Sequence, residues 1–389
     1  MNALTKIGLL YLLTIPVAIE AIEFSDYKNP DSFYDEAYIK GDFDLSSGNE
    51  AQTSFRGNAS GKYETHYRTL PFVWNFDFNG KVYIKREGTE GSSTEKNHDS
   101  TINTDVNKYF TNTNFLRYGS IDLGYRKLLA KETDDPYAKM GVGVGYGRIT
   151  NATPLVNVTR FISKLKELGV ISKKVNDNTY LELAEIVREG GDIKRIETVL
   201  QEAEIIKTSL SAISIIKINE ILAKKRITVR EYGWLVKTGI GYVASNYDGS
   251  ENISSLDFSF EYALPMSHKF QFNNLVKYSA IIDDNIGHQL KNELSFIYEV
   301  SHRFDWENTW NFDYFSNYTM SQSFNNSVIE YVDGEILANQ LSSIFHYYLS
   351  NGTSVDFTVK LTQVKDGVDG NGNDELEKAL FMGITYRLK

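Results

Sequence analysis

The sequence predicts a closed antiparallel transmembrane β-barrel of about fourteen strands (roughly 12 to 16), interrupted by an inserted α-helical domain. Three observations predict it. Along most of the 389 residues, apolar and polar positions alternate with period two. The alternating segments run about ten to fifteen residues, where strands of soluble proteins average ~5–6. From 151 to 230 the period becomes helical, and the only aromatics are Phe161 and Tyr180, whereas the flanks are rich in Tyr, Phe, Trp, Asn and Gly. The expected organisation is a signal peptide at 1–21, a barrel from 22–150 and 231–389, and a helical insert at 151–230.

At the N-terminus a single cation, Lys6, precedes an apolar run from Ile7 to Ile19, and Ala21 fits a cleavage position. This is the layout of an export signal, too short to span a membrane. No later segment approaches the ~20 apolar residues of a membrane helix. The chain has no Cys, so hydrogen-bonded sheet and burial must hold the fold without disulfides. Hydrophobic content is 41% and mean hydropathy −0.34. Those values exclude a bundle of membrane helices but suit a barrel, because only alternate strand residues face lipid.

The strands follow in order. Phe72, Trp74, Phe76, Phe78, Val82 and Ile84 share one face, opposite Asn75, Asp77, Asn79, Lys81 and Lys85. Leu256, Phe258, Phe260 and Tyr262 alternate with Asp257, Ser259 and Glu261. The same pattern recurs in Trp306–Tyr314 and Ser354–Leu361. Strands are expected near 35–46, 52–68, 72–87, 100–111, 115–130, 137–149, 232–246, 253–264, 269–283, 287–302, 305–319, 337–349, 353–365 and 376–388. Short links such as Thr69-Leu70-Pro71 and Ser350-Asn351-Gly352 alternate with longer polar loops. An even strand count puts both termini and the short turns on the periplasmic side. The insert follows the sixth strand, so it belongs in the periplasm or folds back into the lumen.

In this pattern the chain resembles bacterial outer-membrane β-barrel proteins of the porin-like kind, without a motif of any specific family. The last strand alternates Leu380, Met382, Ile384, Tyr386 and Leu388 but ends on Lys389, where the assembly signal of such barrels ends on an aromatic. The resemblance implies an outer-membrane location, outer-membrane lipid as surroundings, and no cofactor.

The inward strand faces are the first candidate site. Arg56, Lys62, Arg68, Lys81 and Lys85 project from the second and third strands, with His66, Glu64 and Asp77 among them. Asp257, Glu261, Glu293, Glu299, Glu307 and Asp313 project from the eighth to eleventh. Opposed basic and acidic walls would set up a field across a water-filled lumen; alternatively the charges pair locally. A second candidate is the glycine row Gly141, Gly143, Gly145 and Gly147, with Gly239 and Gly241 on the adjacent strand. It reads either as a groove where the insert docks or as relief of strand curvature.

The insert opens with an amphipathic stripe: Leu155, Val158, Phe161, Ile162, Leu165 and Leu168, with Pro154 suiting a first turn. A second helix is expected over Tyr180–Arg188, stopped by Gly190-Gly191. From Asp192 to Arg226 there is neither Gly nor Pro. That stretch reads as one helix of about 50 Å or as two breaking near Thr208-Ser209. The insert carries 14 Lys+Arg against 10 Asp+Glu, a net +4, in a chain of net −10. Such a basic domain could dock on the lumen, on peptidoglycan or on a periplasmic protein.

Other chemistry is sparse. The acidic, glycine-rich loop 366–375 alternates side-chain oxygens but departs from a calcium-binding spacing, so no metal is expected. Asp283, Asp284 and His288 cluster at a rim without a nucleophile motif, so no enzyme activity is expected. Nothing points to nucleic acid. The leading functional expectation is a channel for small solutes or an exported polymer, with the insert as plug, gate or docking domain. The runner-up is a membrane-anchored interaction module whose insert recruits a periplasmic partner or export machinery. A barrel enzyme comes third.

Overall fold

The computed structural model describes residues 22–28, 31–46, 51–127, 134–222, 229–247, 249–282, 286–301, 303–316, 322–324, 327–329, 335–350, 352–365 and 375–388. The expected signal peptide, Asp283, Asp284 and residues 366–374 of the acidic loop lie outside the described residues.

The alternating segments form β1 (Ser32–Ser46), β2 (Ser54–Arg68), β3 (Phe72–Arg86), β4 (Glu95–Tyr109), β5 (Phe115–Lys127), β6 (Tyr137–Asn151), β7 (Glu231–Ser245), β8 (Ile253–Ser267), β9 (Phe270–Ile282), β10 (Ile286–Ser301) and β11 (Phe304–Ser316). A small hairpin of β12 (Gln322–Phe324) and β13 (Ser327–Ile329) follows, then β14 (Glu335–Ser350), β15 (Thr353–Lys365) and β16 (Glu377–Arg387). All but the small hairpin join in one closed, fourteen-stranded antiparallel barrel. Each strand pairs with its neighbours in sequence, and β1 meets β16 from Tyr38↔Arg387 to Gly41↔Ile384. Closure leaves no sheet edge, so backbone groups are paired even where no water reaches them.

The strands match the expected spans to within a few residues. The largest difference is β4, which begins at Glu95 rather than near 100. Glu95–Asp99, which pairs with Lys81–Lys85, is polar on both of its own faces, so alternation carries no signal there.

Register divides the residues into two faces. Outward side chains are apolar and exposed: Ile240 is 60% exposed, Leu256 53% and Leu380 77%. Rings cluster at the end bearing the short turns. Phe115 meets Tyr146 edge-on at 4.6 Å, Tyr146 meets Trp234 at 5.6 Å, and Trp306 stacks on Phe345 at 5.7 Å. At the opposite end Phe43–Phe55 and Tyr278–His288 stack. An apolar outer wall between two aromatic girdles is the surface of a barrel that spans a membrane.

The insert is α1 (Thr153–Glu167), α2 (Asp177–Arg188), α3 (Ile193–Glu202) and α4 (Ala212–Leu222). Its apolar stripe faces inward except at Leu168, just past the end of α1, which is 40% exposed. Leu155, Phe161, Ile162 and Leu165 pack against Leu183, Ile196, Leu200 and Ile218, all essentially inaccessible. Asn176 caps α2 by accepting from Thr179 N at 2.8 Å, and Asp192 caps α3 by accepting from Lys194 N at 2.8 Å.

Among the described residues of 192–226 there are two helices, but α3 stops at Glu202, earlier than Thr208-Ser209. Glu204 takes a positive φ of 53°, and the Ile205 and Ile206 amides return to Leu200 O. That turn aims Ile205, Ile206 and Leu210 into the core, so burial ends the helix where the sequence has no breaker. Residues 22–28 also differ from expectation: Ile22, Phe24 and Tyr27 pack on the insert's core although the segment was grouped with the barrel.

Candidate functional site: the lumen and its short-turn mouth

All eleven charged residues expected to line a pore lie on the inward face by register. Arg56, Lys62 and Arg68 are on β2, Lys81 and Lys85 on β3, Asp257 and Glu261 on β8, Glu293 and Glu299 on β10, and Glu307 and Asp313 on β11. Most have close partners. Lys62 pairs with Glu64 and Lys85 with Glu87 at the outer rim. Arg68 reaches Glu231 at 2.6 Å, Asp257 reaches Lys139 at 2.9 Å, and Glu307 reaches His346 Nε2 at 3.5 Å. Asp313 stands opposite Lys291 in register. Lys62 also lies within electrostatic range of Glu293 and Glu307 on the facing wall. Of the two readings, opposed walls or local pairing, these contacts follow local pairing, and what faces the lumen is a mixed-charge belt.

The glycine row has a specific role in that belt. A side chain at Gly143 would meet Thr238 O at 2.2 Å and the Tyr118 ring at 2.6 Å; at Gly145 it would meet Leu116 and Lys237 at 3.1 Å. Lys237 on β7 lies across β6, passes 5.2 Å from the Tyr118 ring, and pairs with Asp105 on β4 at 3.2 Å. Likewise Lys139 crosses Gly241 to reach Asp257, and both crowd any side chain at that position. The bare strand surface lets two lysines lie flat against the wall. Among the described residues the nearest neighbours of Gly141, Gly143, Gly145, Gly147, Gly239 and Gly241 are all barrel residues, so the groove seats barrel side chains, not helices of the insert. Gly147 has φ +110° and Gly233, near the start of β7, has φ +124°, a conformation that favours glycine.

Apolar residues border the charged belt. Val73, Tyr109, Leu116, Ile149, Leu235 and Ala263, from β3 to β8, form an inward cluster at the short-turn mouth. Val243, Ile253 and Ile281 form another near the opposite mouth, as do Phe315, Ile336, Ala338 and Val364.

Beside the β1–β16 seam, Asp356 accepts from His346 Nδ1 and from Ser354 Oγ at 2.8 Å each, and also from Thr385. Arg387 pairs with Glu36 there. These side chains tie together strands whose backbone register at the seam is short.

Glu64, His66 and Asp77 could approach one cation, their ligand atoms lying within 4.8 Å of one another. Glu64 is already held by Lys62, and His66 Nδ1 by Asn75 Oδ1 at 2.8 Å. At the opposite rim His288 bonds Tyr278 at 2.8 Å, as a girdle pair.

The insert hangs from the short-turn mouth. Its two ends are stitched together where Ala152 N donates to Arg230 O at 2.6 Å and Arg230 N to Thr153 Oγ1 at 2.8 Å. Arg160 on α1 donates to Glu299 at 2.5 Å and to His268 O at 2.9 Å, fixing α1 beneath β8–β10. Tyr27 wedges into the insert core, where burial pushes its phenol up to about 12.

Sequence reading missed Lys139, Lys237 and Asp105, although strand parity marks all three as inward. Arg160 gave no signal, because its partner Glu299 lies 139 residues away.

No protein-family model matches the chain, and no curated protein sequence does. Among solved structures it is similar to CdiB from Escherichia coli, with TM-score 0.37 and 9% identity over 90% of this chain and 62% of that one. It thus spans less than two thirds of CdiB. It is similar also to OmpF of Salmonella typhi, solved with daunomycin, with TM-score 0.33 and 8% identity over 93% and 99% of the two chains. A third is the outer membrane protein OprD from Pseudomonas aeruginosa, with TM-score 0.31 and 8% identity over 95% and 97%.

Proposed function

We propose that this protein is a bacterial outer-membrane channel for small polar solutes, with the helical insert acting as a gate at its periplasmic mouth. The observation that carries the reading is the glycine wall. By letting Lys237 and Lys139 lie flat toward Asp105 and Asp257, it keeps charge at the lumen surface and bulk out of its middle. Paired charges favour dipolar solutes and weaken selectivity for one sign of ion. The apolar cluster at the short-turn mouth, with α1 held below by Arg160, supplies a constriction that α1 can cover.

The test is planar-bilayer conductance of the refolded chain against a version with 152–230 replaced by a short turn. A gate predicts larger or longer openings in the shortened form. Silence in both folded forms would overturn the channel. It would favour a membrane-anchored docking module instead, a reading supported by the exposed Ile213 and Ile216 on α4.

A further inference from the structure

On the outward face of β4–β7, next to the short turn between β4 and β5, lies a groove of about 740 Å³. It is a shallow trough open to the membrane side, not an enclosed cavity. Two adjacent register rows build it. In the row nearer the turn, Lys108 stands opposite Arg117, which is followed by Val144 and Thr238. The next row is Val106, Gly119, Val142 and Ile240.

Two features ask for a ligand. First, like charges directly opposite one another on antiparallel strands repel. Neither the Lys108 nor the Arg117 side chain has an ion pair or hydrogen bond among the described residues, and both are exposed. They sit at the aromatic girdle, beside Phe115 and Phe110, at the depth where lipid phosphates lie. Second, the glycine under them is not required by the barrel. A Cβ on Gly119 would meet only Gly141 O, at an ordinary 3.8 Å, and its φ is unremarkable for any residue. Nothing inside the protein excludes a side chain there, so the missing one leaves an apolar floor open to the membrane.

We propose that this groove seats one anionic membrane phospholipid, its phosphate between Lys108 and Arg117 and an acyl chain over Gly119 between Val106, Val142 and Ile240. Arg117 offers a forked donor set to phosphate oxygens and Lys108 a point charge. The inference rests on the membrane placement of the barrel and is independent of conduction.

Native mass spectrometry of the refolded full chain, given equal phosphatidylglycerol and phosphatidylcholine, tests it. One phosphatidylglycerol should be retained in preference. Lys108→Gln with Arg117→Gln should lower that retention at least roughly tenfold, from the loss of two interfacial cations. Gly119→Phe should displace both lipids, with the heat-modifiable folded band unchanged on gels. Lys96→Gln with Lys378→Gln, outward cations at the far end, should change nothing. Equal retention by wild type and the Lys108/Arg117 variant, or by Gly119→Phe, would overturn the site. Failure of the wild-type chain to insert into vesicles would instead overturn the membrane placement.

Discussion

The barrel and the insert use the same apolar residue types in opposite places. Leu256 and Ile240 point out from the barrel and are more than half exposed, whereas Leu155 and Ile162 in the insert are 0% exposed. The difference is one of solvent. A helical bundle in water gains by hiding apolar surface. A barrel in lipid gains nothing that way and keeps its polar residues inside. One chain thus carries two burial rules, and their boundary falls at Asn151 and Glu231, where β6 ends and β7 begins.

The largest expected effect separates the two regions. Phe161→Ala should cost the insert about 3–5 kcal/mol, through lost burial and the cavity left behind. Residues 152–230 should become protease-sensitive while the barrel keeps its heat-modifiable gel mobility. Joint loss of both would mean that the barrel needs the insert to fold.

Next is the lipid face. Leu256→Arg should destabilise the barrel by about 2–4 kcal/mol if it sits near the bilayer midplane. Ile213→Arg, on the exposed face of α4, should stay within ~0.5 kcal/mol. Equilibrium folding into vesicles reads the first, and thermal unfolding of the insert the second. Equal costs would erase the contrast.

A smaller effect sharpens the barrel side. Gly143→Val drives a side chain toward Thr238 O and Tyr118 and should cost about 1–3 kcal/mol. Gly61→Ala, whose added carbon meets nothing within 4 Å, should be close to neutral in the same vesicle assay.

The smallest effect at neutral pH concerns Tyr27. Its folded-state pKa is raised from 10.0 to about 12, so its neutral form favours docking. The contribution is complete below pH 10 and is lost as pH rises through about 12. Release of segment 22–28, followed by proteolysis, should rise over that window and be flat in Tyr27→Phe.

Much of this was legible because strands report their solvent every second residue. Trp74 and Phe78 against Asn75 and Asp77 give the face of β3 without any partner. What stayed hidden depends on neighbours distant in sequence. Glycines at 143 and 145 read more readily as curvature relief than as a docking groove, and nothing near them in sequence marks Lys237 as crossing them toward Asp105. The break at Ala203 has no local breaker and follows from where Ile205 and Ile206 find the core. Arg160–Glu299 joins two domains through one ion pair, which no periodicity encodes.

The most direct test of the inverted barrel uses the chain's lack of cysteine. Single cysteines placed one at a time from Leu256 to Tyr262 in the vesicle-inserted protein would be exposed to a charged, membrane-impermeant maleimide. The account predicts labelling at 257, 259 and 261 and protection at 256, 258, 260 and 262. Uniform labelling, or labelling at the even positions, would contradict it.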